Sequence, residues 1–262
     1  MAHNWPVELY KKSVLKQRKF EEVSTLLGPT DGCRCLDIGG DNGVVSYLLR
    51  QRGGSWASAD LDEQTVSAIR ALVGEDVHRI GARSTPFADD EFDRVAIVDF
   101  LEHVEEDRAF VEELYRIMKP GGELIINVPH DRGGLLRRLR LALGETDEKH
   151  GHVRPGYTME GLEALLGGCF TVSTYHTYSR FFSELIDMLL RSGVSVVKGQ
   201  GDGGSAGGQK GQVVTGADLS ANRTLFRLYS LIYPVVWAFS RLDGLLASSS
   251  GYMLIAKATV KK

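Results

Sequence analysis

The residues of this chain best suited to bind a reactive ligand lie in one short stretch, residues 33–43. Arg34–Ile38 has the composition of a buried strand, and its acidic residue Asp37 comes just before a glycine-rich turn that opens a helix. A turn of this kind lets a ligand approach bare backbone at the carboxyl end of a parallel strand. Because a carboxylate repels phosphate and attracts cations, Asp37 favours a ligand that carries an ammonium group.

The glycine spacing in this turn excludes two common nucleotide sites. A dinucleotide fingerprint needs G-x-G-x-x-G. Counted from Gly39, its second and third glycine positions hold Asp41 and Val44, and counting from Gly40 fails in the same way. A Walker A loop needs Gly-Lys-Ser/Thr, which is also missing from the turn. We therefore expect neither a pyrophosphate site nor a nicotinamide-dependent oxidoreductase.

Strands alternate with helices on both sides of this turn, which predicts a parallel sheet covered on both faces. The expected helices span residues 8–27, 44–51, 63–73, 107–118, 158–166 and 181–190, and the expected strands span residues 34–38, 55–59, 77–80, 92–98, 123–128, 169–175 and 252–260. A turn is expected at 119–122. The exposed face of the helix at 107–118 is expected to carry Glu112, Glu113 and Arg116.

The chain divides into a core at 1–178, an insertion at 179–250 and a final core strand at 251–262. The insertion is far longer than an ordinary connection between two strands. It contains a Gly-rich stretch at 198–216 and an apolar stretch at 225–246, in which Pro234 predicts a kink. The sequence leaves three roles open for this insertion: a lid, a dimer interface or a membrane element.

Five segments resemble, in order and spacing, the motifs of class I S-adenosylmethionine-dependent methyltransferases of the type 11 kind. They are Leu36-Asp37-Ile38-Gly39-Gly40-Asp41-Asn42-Gly43, Asp60, the stretch 85–93, Leu101-Glu102-His103-Val104 and Met118-Lys119-Pro120-Gly121-Gly122. The resemblance covers residues 30–175 and the final strand. It implies an α/β fold: a Rossmann-like, doubly wound, seven-stranded sheet with one antiparallel strand, to which this chain adds the helical insertion between the last two strands.

The resemblance also implies that S-adenosylmethionine binds over the carboxyl ends of the first, second and fourth strands. The implied cofactor-binding positions are Asp37, Gly39, Gly40, Asp41 and Gly43 in the turn, Asp60 and Leu61 at the ribose, Ala82 and Arg83 at the adenine, and Asp99 after the fourth strand. Asp62 also falls where a ribose would lie.

Two positions depart from the family pattern. Asp41 replaces the middle glycine of the turn, where it either adds negative charge near the methionine ammonium or caps the next helix. Gly81 replaces the aspartate that often precedes the alanine found here as Ala82.

Methyl transfer from a sulfonium is an in-line displacement that needs alignment and, for a hydroxyl or protonated amine acceptor, a base. His130 follows the fifth strand and is the best-placed candidate base, and His103 is a second candidate that could instead orient the following helix. His152, Arg154 and Tyr157 are candidates for holding the acceptor.

We expect no metal ion. His150, His152 and Asp147 suggest one only weakly, and the Cys33–Cys35 pair lacks a second pair at zinc-site spacing.

Two apolar stretches point to the kind of acceptor. Residues 225–239 are aromatic and apolar almost all round, and residues 135–141 form a candidate basic amphipathic helix. Together they could form an acceptor tunnel or lie on an anionic membrane surface, which favours a lipid-linked acceptor. The alternative is that residues 225–246 pack as buried helices on the domain or across a homodimer.

Composition sets the remaining limits. A net charge of −3 gives no field that favours nucleic acid. The odd, sparse set of three cysteines indicates a reducing compartment, the N-terminus has no signal-peptide pattern, and no 18-residue apolar run is present. We expect a cytoplasmic methyltransferase that acts on an oxygen or nitrogen of a small or lipid-linked acceptor. The sequence leaves open whether it also contacts the membrane peripherally. The alternative is a non-catalytic binding module that keeps the fold and uses the insertion to bind a partner.

Overall fold

The computed structural model describes residues 5–40, 42–142, 146, 151–197, 223–246 and 248–262. Its strands are β1 (Arg34–Ile38), β2 (Ser55–Asp60), β3 (Val77–Arg79), β4 (Phe92–Val98), β5 (Met118–Pro129), β6 (Phe170–Tyr178) and β7 (Met253–Val260). Its helices are α1 (Trp5–Tyr10), α2 (Val14–Leu27), α3 (Val44–Arg50), α4 (Glu63–Val73), α5 (Asp107–Ile117), α6 (Leu135–Ala142), α7 (Met159–Leu166), α8 (Phe181–Val197) and α9 (Arg223–Ser240), with 3-10 turns at Leu101–His103 and Arg241–Leu246.

The seven strands form one sheet in the order β3-β2-β1-β4-β5-β7-β6. β1 to β5 are parallel, and β7 runs antiparallel to both of its neighbours. The strand order reverses between β1 and β4, so a crevice opens at the carboxyl ends of these two strands. This architecture confirms the predicted seven-stranded sheet with one antiparallel strand.

The central strands are buried because helices cover both faces of the sheet. Leu36, Ile97 and Ile126 lie in one apolar cluster, and Cys35 and Ile125 lie in the cluster on the opposite face. Neighbouring residues of one strand therefore pack on opposite faces of the sheet, because successive side chains of a strand point to opposite sides. Burial also raises the pKa of the Cys35 thiol to about 12, so this cysteine is an inert core residue.

The expected single helix at 8–27 is wrong, because the chain forms two helices there. Residues 11–13 separate α1 from α2. Ser13 has an extended backbone and its hydroxyl accepts a hydrogen bond from the Lys16 backbone N–H at 3.3 Å, which starts a new helix. The C-terminal end was predicted correctly: Gly28 closes α2 and donates its N–H to Ser24.

The predicted exposure of Glu113 is also wrong. Glu113 on α5 is buried, whereas its neighbour Glu112 is exposed. Its carboxylate accepts hydrogen bonds from the Thr85 backbone N–H and hydroxyl, both at 2.7 Å, and from Arg116. Arg116 in turn donates to the Phe87 carbonyl at 2.8 Å. The sequence motif at 85–93 is therefore held against α5 by hydrogen bonds to the buried Glu113 carboxylate and from the Arg116 guanidinium.

The turn expected at 119–122 is absorbed into β5, which runs from Met118 with a register shift against β4. The strand expected at 169–175 begins one residue later and extends to Tyr178. Both differences arise because pairing with a neighbouring strand lengthens an element beyond what its own composition predicts.

The two described parts of the insertion contact each other, and one of them also contacts the core. Asp243, in the second 3-10 turn, accepts hydrogen bonds from the backbone N–H groups of Arg180 and Phe182 at 2.7 and 2.8 Å, and so caps the start of α8. Gln17 of α2 donates to the Tyr233 hydroxyl of α9 at 2.9 Å. The Gly-rich stretch expected at 198–216 lies outside the described residues.

The helix α9 is continuous through Pro234 and exposes an apolar face. The exposed fractions of Leu231 and Val235 are 77% and 70%. This exposure contradicts the alternative in which 225–246 pack as buried helices on the domain. Across the described residues, none of the helices combines the length and apolar character needed to span a membrane.

Candidate active site

The glycine turn between β1 and α3 is shaped by the protein's own backbone. Gly39 has φ +90°, and a Cβ on it would lie 2.2 Å from the Val98 carbonyl oxygen of β4. Gly43 has φ +83°, and a Cβ there would lie 2.9 Å from the Ile69 Cα of α4. Gly40 has no room for a Cβ either, because Ser46 Oγ lies 2.7 Å from that point. These glycines let three elements converge at the crevice where β1 and β4 end.

The turn continues after Gly40 with Asp41 and Asn42, of which the structure describes only Asn42. Asn42 is buried, and its side-chain oxygen accepts a hydrogen bond from the Val44 N–H at 3.4 Å, at the start of α3. Asp41, the unusual replacement for the middle glycine, lies outside the described residues. Its two roles, charge near the methionine ammonium or helix capping, remain predictions.

Asp37 is a junction between β1, β2 and α3. Its carboxylate accepts hydrogen bonds from the Ser46 hydroxyl at 2.5 Å and from the Ser58 hydroxyl at 2.7 Å. Arg50 lies 3.6 Å from the same carboxylate. Burial raises the pKa of the Asp37 carboxyl above its ordinary value, against the hydrogen bonds from the two serines, which act to lower it. Asp37 thus orders the wall of the crevice, and its contact with a bound methionine remains a prediction.

Asp60 and Asp62, both expected at the ribose, have different roles in the structure. Asp60 ends β2, is fully buried, and accepts a hydrogen bond from the Asp62 N–H at 3.0 Å. Asp62 caps α4 by accepting from the Thr65 N–H at 2.8 Å. Leu61 between them is half-buried and packs on the core. Capping accounts for Asp62, whereas the contact of Asp60 with the ribose stays a prediction.

The predicted adenine positions follow β3. Ala82 is half-buried against the core, which suits a flat apolar wall for a base. Arg83 is exposed, and its guanidinium forms an ion pair with Glu106, the residue that precedes α5. The adenine contact of Arg83 stays a prediction, and it would require this exposed pair to open or to turn aside.

Asp99, at the end of β4, lies at the centre of a polar network. Its backbone has φ +47°, a left-handed conformation that aspartate adopts more readily than most residues. One carboxylate oxygen accepts from the Asn127 side-chain N–H at 2.9 Å, and the other pairs with the ammonium group of Lys19 on α2. The Tyr178 hydroxyl donates to the Asn127 side-chain oxygen. The network fixes a carboxylate and an ammonium group beside the crevice.

His130 has an orientation that suits a base. Its Nδ1 lies 2.9 Å from the Gly251 carbonyl oxygen, and because a carbonyl only accepts, Nδ1 carries the proton. Nε2 of the neutral ring is then a free lone pair. Together with Arg132, Glu184 and Tyr252, His130 lines a hollow between the end of β5 and α8. The sequence prediction of His130 as the best-placed base is consistent with this position, but its catalytic role stays a prediction.

The loop at 151–157 is fastened over the turn that follows β4. The Val153 N–H donates to the Glu102 carbonyl at 3.0 Å. The His103 Nδ1 donates to the Gly151 carbonyl at 2.9 Å, and the His152 ring packs edge-to-face on the His103 ring with 4.8 Å between centroids. His103 and His152 thus face each other, whereas His150 and Asp147 lie outside the described residues.

Arg154 and Tyr157 are engaged by the protein itself. Arg154 pairs with Asp107 and donates to the Val104 carbonyl at 2.7 Å. The Tyr157 hydroxyl donates to Asp107 at 3.0 Å, and burial raises its pKa well above the ordinary value. These contacts close the loop onto the start of α5, and the expectation that the two residues hold the acceptor stays a prediction.

Several residues of this site could not be singled out from the sequence. Lys19 reaches Asp99 from a helix 80 residues earlier, and Ser46 and Ser58 reach Asp37 from two other elements. Asn127 carried a usable signal, since it is an isolated amide in an apolar strand and is fully buried. Lys19 carried none, because it is one of several lysines on an amphipathic helix.

The chain matches known proteins over this same region. Residues 36–126 match a family model described as a methyltransferase domain. A demethylmenaquinone methyltransferase of Clavibacter sepedonicus is 38% identical over 104 residues, which cover 38% of this chain and 42% of that protein. A ubiquinone biosynthesis O-methyltransferase of Xylella fastidiosa is 29% identical over 105 residues, covering 38% and 43%. The chain thus spans less than half the length of these curated relatives.

Solved structures share the fold over nearly the whole chain. A putative methyltransferase from Bacillus halodurans has a TM-score of 0.58 at 17% identity, covering 92% of this chain and 98% of that one. The [4+2]-cyclase SpnF has the same TM-score and identity, covering 93% and 80%. At this identity the likeness establishes the fold alone. Residues 36–126 thus match a methyltransferase domain, and the strand order and the solved structures show that the chain has the Rossmann-like fold of such domains.

Proposed function

We propose that this protein transfers a methyl group from S-adenosylmethionine to an oxygen or nitrogen of a lipid-linked acceptor. The observation that carries the proposal is the crevice where the strand order reverses. There, Gly39 and Gly43 bring bare backbone together, and the acidic residues Asp37, Asp60 and Asp99 lie at the carboxyl ends of β1, β2 and β4. A cationic amino-acid nucleoside suits such a site better than a nucleotide phosphate does.

The residues at the crevice divide the binding task by charge. S-adenosylmethionine, when bound, supplies an electrophilic methyl group on a sulfonium. Asp60 would accept from the ribose hydroxyls, and the half-buried Ala82 would pack on the adenine. The Lys19–Asp99 pair presents opposite charges that match the carboxylate and ammonium of the methionine end.

The acceptor would be deprotonated from the other side of the crevice. His130 Nε2 is available because Nδ1 donates to the Gly251 carbonyl. It would accept the proton that an acceptor hydroxyl or ammonium loses as its oxygen or nitrogen bonds to the methyl carbon. The products are the methylated acceptor, S-adenosylhomocysteine and a proton on His130.

The lipid-linked character of the acceptor rests on the exposed face of α9 and on the relatives. Leu228, Leu231, Ile232 and Val235 form an exposed apolar stripe. Arg241 lies over the Trp237 ring at 4.7 Å, so a cation and an aromatic ring flank this stripe. Such a face suits an anionic membrane surface, where a quinone-like acceptor resides. The matched relatives are named for menaquinone and ubiquinone methylation.

The test is a labelling experiment with the purified full chain. Methyl-labelled S-adenosylmethionine is added to a cell extract with the protein, and the lipid and aqueous fractions are counted separately. The Asp60→Asn variant in the same extract gives the background. We expect one cofactor site by calorimetry and label in the lipid fraction. Label confined to the aqueous fraction would overturn the lipid-linked acceptor, and an absence of cofactor binding would instead support the non-catalytic binding module.

A further inference from the structure

Three metal-ligating side chains meet beside the candidate site. Within the described part of the chain, Glu102, His103 and His152 each offer one ligand atom, and these atoms all lie within 4.8 Å of one another. Glu102 and His103 come from the turn directly after β4, and His152 comes from the loop at 151–157. From this geometry we propose that the three residues bind a divalent transition-metal ion such as Zn²⁺. The proposal departs from the sequence-based expectation of no metal ion.

The orientation of His103 supports this assignment. Its Nδ1 donates to the Gly151 carbonyl, which leaves Nε2 as the atom that can bind a metal. Histidine ligands of metals commonly use the second ring nitrogen to donate to a backbone carbonyl in this way, since it fixes the ring. The carbonyl belongs to the loop that also supplies His152, so one hydrogen bond positions ligands from both segments.

The two segments are also joined by contacts that do not involve the ligand atoms. The Val153 N–H donates to the Glu102 carbonyl at 3.0 Å, and Arg154 donates to the Val104 and Glu105 carbonyls at 2.7 and 3.0 Å. The loop is therefore held over the turn without an ion. Binding an ion needs only a contraction of the ligand atoms to separations of about 3.4 Å, the spacing around a tetrahedral centre.

The donor set indicates the type of ion. Two imidazoles and one carboxylate suit borderline ions such as Zn²⁺, Co²⁺ or Fe²⁺ better than Mg²⁺ or Ca²⁺, which prefer oxygen ligands. Three protein ligands leave a coordination position open for water or for an acceptor oxygen. The use of that position to hold an acceptor oxygen rests on the proposed methyl transfer, whereas the metal site itself does not.

The test measures metal binding directly on the tag-free full chain after chelation. Calorimetric titration with Zn²⁺ alone is expected to give one site per chain, and titration with Co²⁺ a visible absorption that added Zn²⁺ removes. Zn²⁺ binding is expected to weaken about tenfold or more in His152→Ala and in Glu102→Gln, which keeps the side-chain shape. The matched control is His78→Ala, because His78 also lies 2.8 Å from a carboxylate, that of Asp76, but outside the cluster.

The outcomes separate this proposal from the proposed function. The metal site is overturned if the wild-type chain binds no Zn²⁺, or if His152→Ala and Glu102→Gln bind it as the wild type does. Thermal unfolding of each variant without metal shows whether it folds, and Zn²⁺ is expected to raise the melting temperature more in the wild type and in His78→Ala than in His152→Ala and Glu102→Gln. S-adenosylmethionine titrated into the same chelated preparations reports on the methyltransferase proposal independently.

Discussion

The ammonium group of Lys19 pairs with the carboxylate of Asp99, and this contact joins the N-terminal helix α2 to the end of β4. Asp99 is held in place on its other side by Asn127, whose amide N–H lies 2.9 Å from the second carboxylate oxygen. The pair is partly exposed, so it can exchange its partners for those of a ligand. An opposite-charge pair at this position is complementary to an amino acid, which carries one charge of each sign.

Removal of the Lys19 charge is expected to weaken cofactor binding. In Lys19→Met the carboxylate of the bound S-adenosylmethionine loses its cationic partner. The dissociation constant of the cofactor should therefore rise about fivefold, as for a partly exposed ion pair. Calorimetry at low and high salt measures the change, which salt should diminish. Lys11→Met is the matched control, since Lys11 pairs with Glu8 on the surface of the same N-terminal region. Equal effects of the two substitutions would contradict a direct contact.

Substitutions of Asp60 and Asp62 are expected to have different effects, the first on cofactor affinity and the second on the free energy of unfolding. Asp60→Asn removes a buried charged acceptor at the proposed ribose position, so the cofactor dissociation constant should rise about tenfold or more. Asp62→Ala removes the cap of α4 and should lower the free energy of unfolding by about 1 kcal/mol without a change in cofactor affinity. Calorimetry and urea denaturation of both variants provide the measurements. Unchanged affinity in Asp60→Asn would argue against the ribose assignment.

His130 is expected to act on turnover and not on cofactor binding. His130→Ala should lower kcat about 10²-fold to 10⁴-fold, because the acceptor loses its proton acceptor, while the affinity for S-adenosylmethionine stays the same. Imidazole added to the solution should restore part of the activity by filling the vacated space. His176→Ala is the control, since His176 pairs with Glu22. A variant with wild-type kcat would remove His130 from the reaction.

Glu113 is expected to make stability depend on pH. The hydrogen bond from Arg116 lowers the pKa of the Glu113 carboxyl below its ordinary value of 4.5. The ionised form therefore stabilises the native state, and this contribution is present above pH 4.5 and is lost as the pH falls through the lowered pKa. Glu113→Gln should lower the free energy of unfolding by about 2 kcal/mol at neutral pH.

The difference between Glu113→Gln and the wild type should shrink as the medium is acidified, which urea titrations at several pH values will show. The exposed neighbour Glu112 provides the control variant Glu112→Gln. A difference that stays constant with pH would mean that Glu113 acts through packing and not through its charge.

The apolar face of α9 is expected to bind anionic membranes. The double substitution Leu231→Ser with Val235→Ser should reduce co-sedimentation with phosphatidylglycerol vesicles by more than about tenfold, since each side chain buried in lipid contributes roughly 1.5–3 kcal/mol. Tyr175→Ser is the control, because Tyr175 is 55% exposed but lies on β6. If the wild-type chain is instead a dimer that this double substitution dissociates, α9 is a dimer interface and the membrane assignment is wrong.

The sequence by itself predicted the elements whose boundaries depend on local chemistry. β1 and β4 span the predicted residues, and α2 ends at Gly28 as expected. Continuous apolar runs, glycines and prolines produce these features within a few residues of chain, so their composition is sufficient to locate them. The glycine turn was recognisable for the same reason: the backbone has a positive φ at Gly39, and a Cβ there would lie 2.2 Å from the Val98 carbonyl oxygen, so only glycine fits.

Only the tertiary structure decided which side chains meet across the sheet. Lys19 reaches Asp99 because α2 packs beside the end of β4, and Glu113 is buried because Thr85 returns to α5. The Gly251 carbonyl orients His130 across 121 positions of sequence, and His152 faces His103 across a loop. Periodicity in a sequence reports the face on which a residue lies and not its partner, since partners are set by the closure of long chain segments around one shared core.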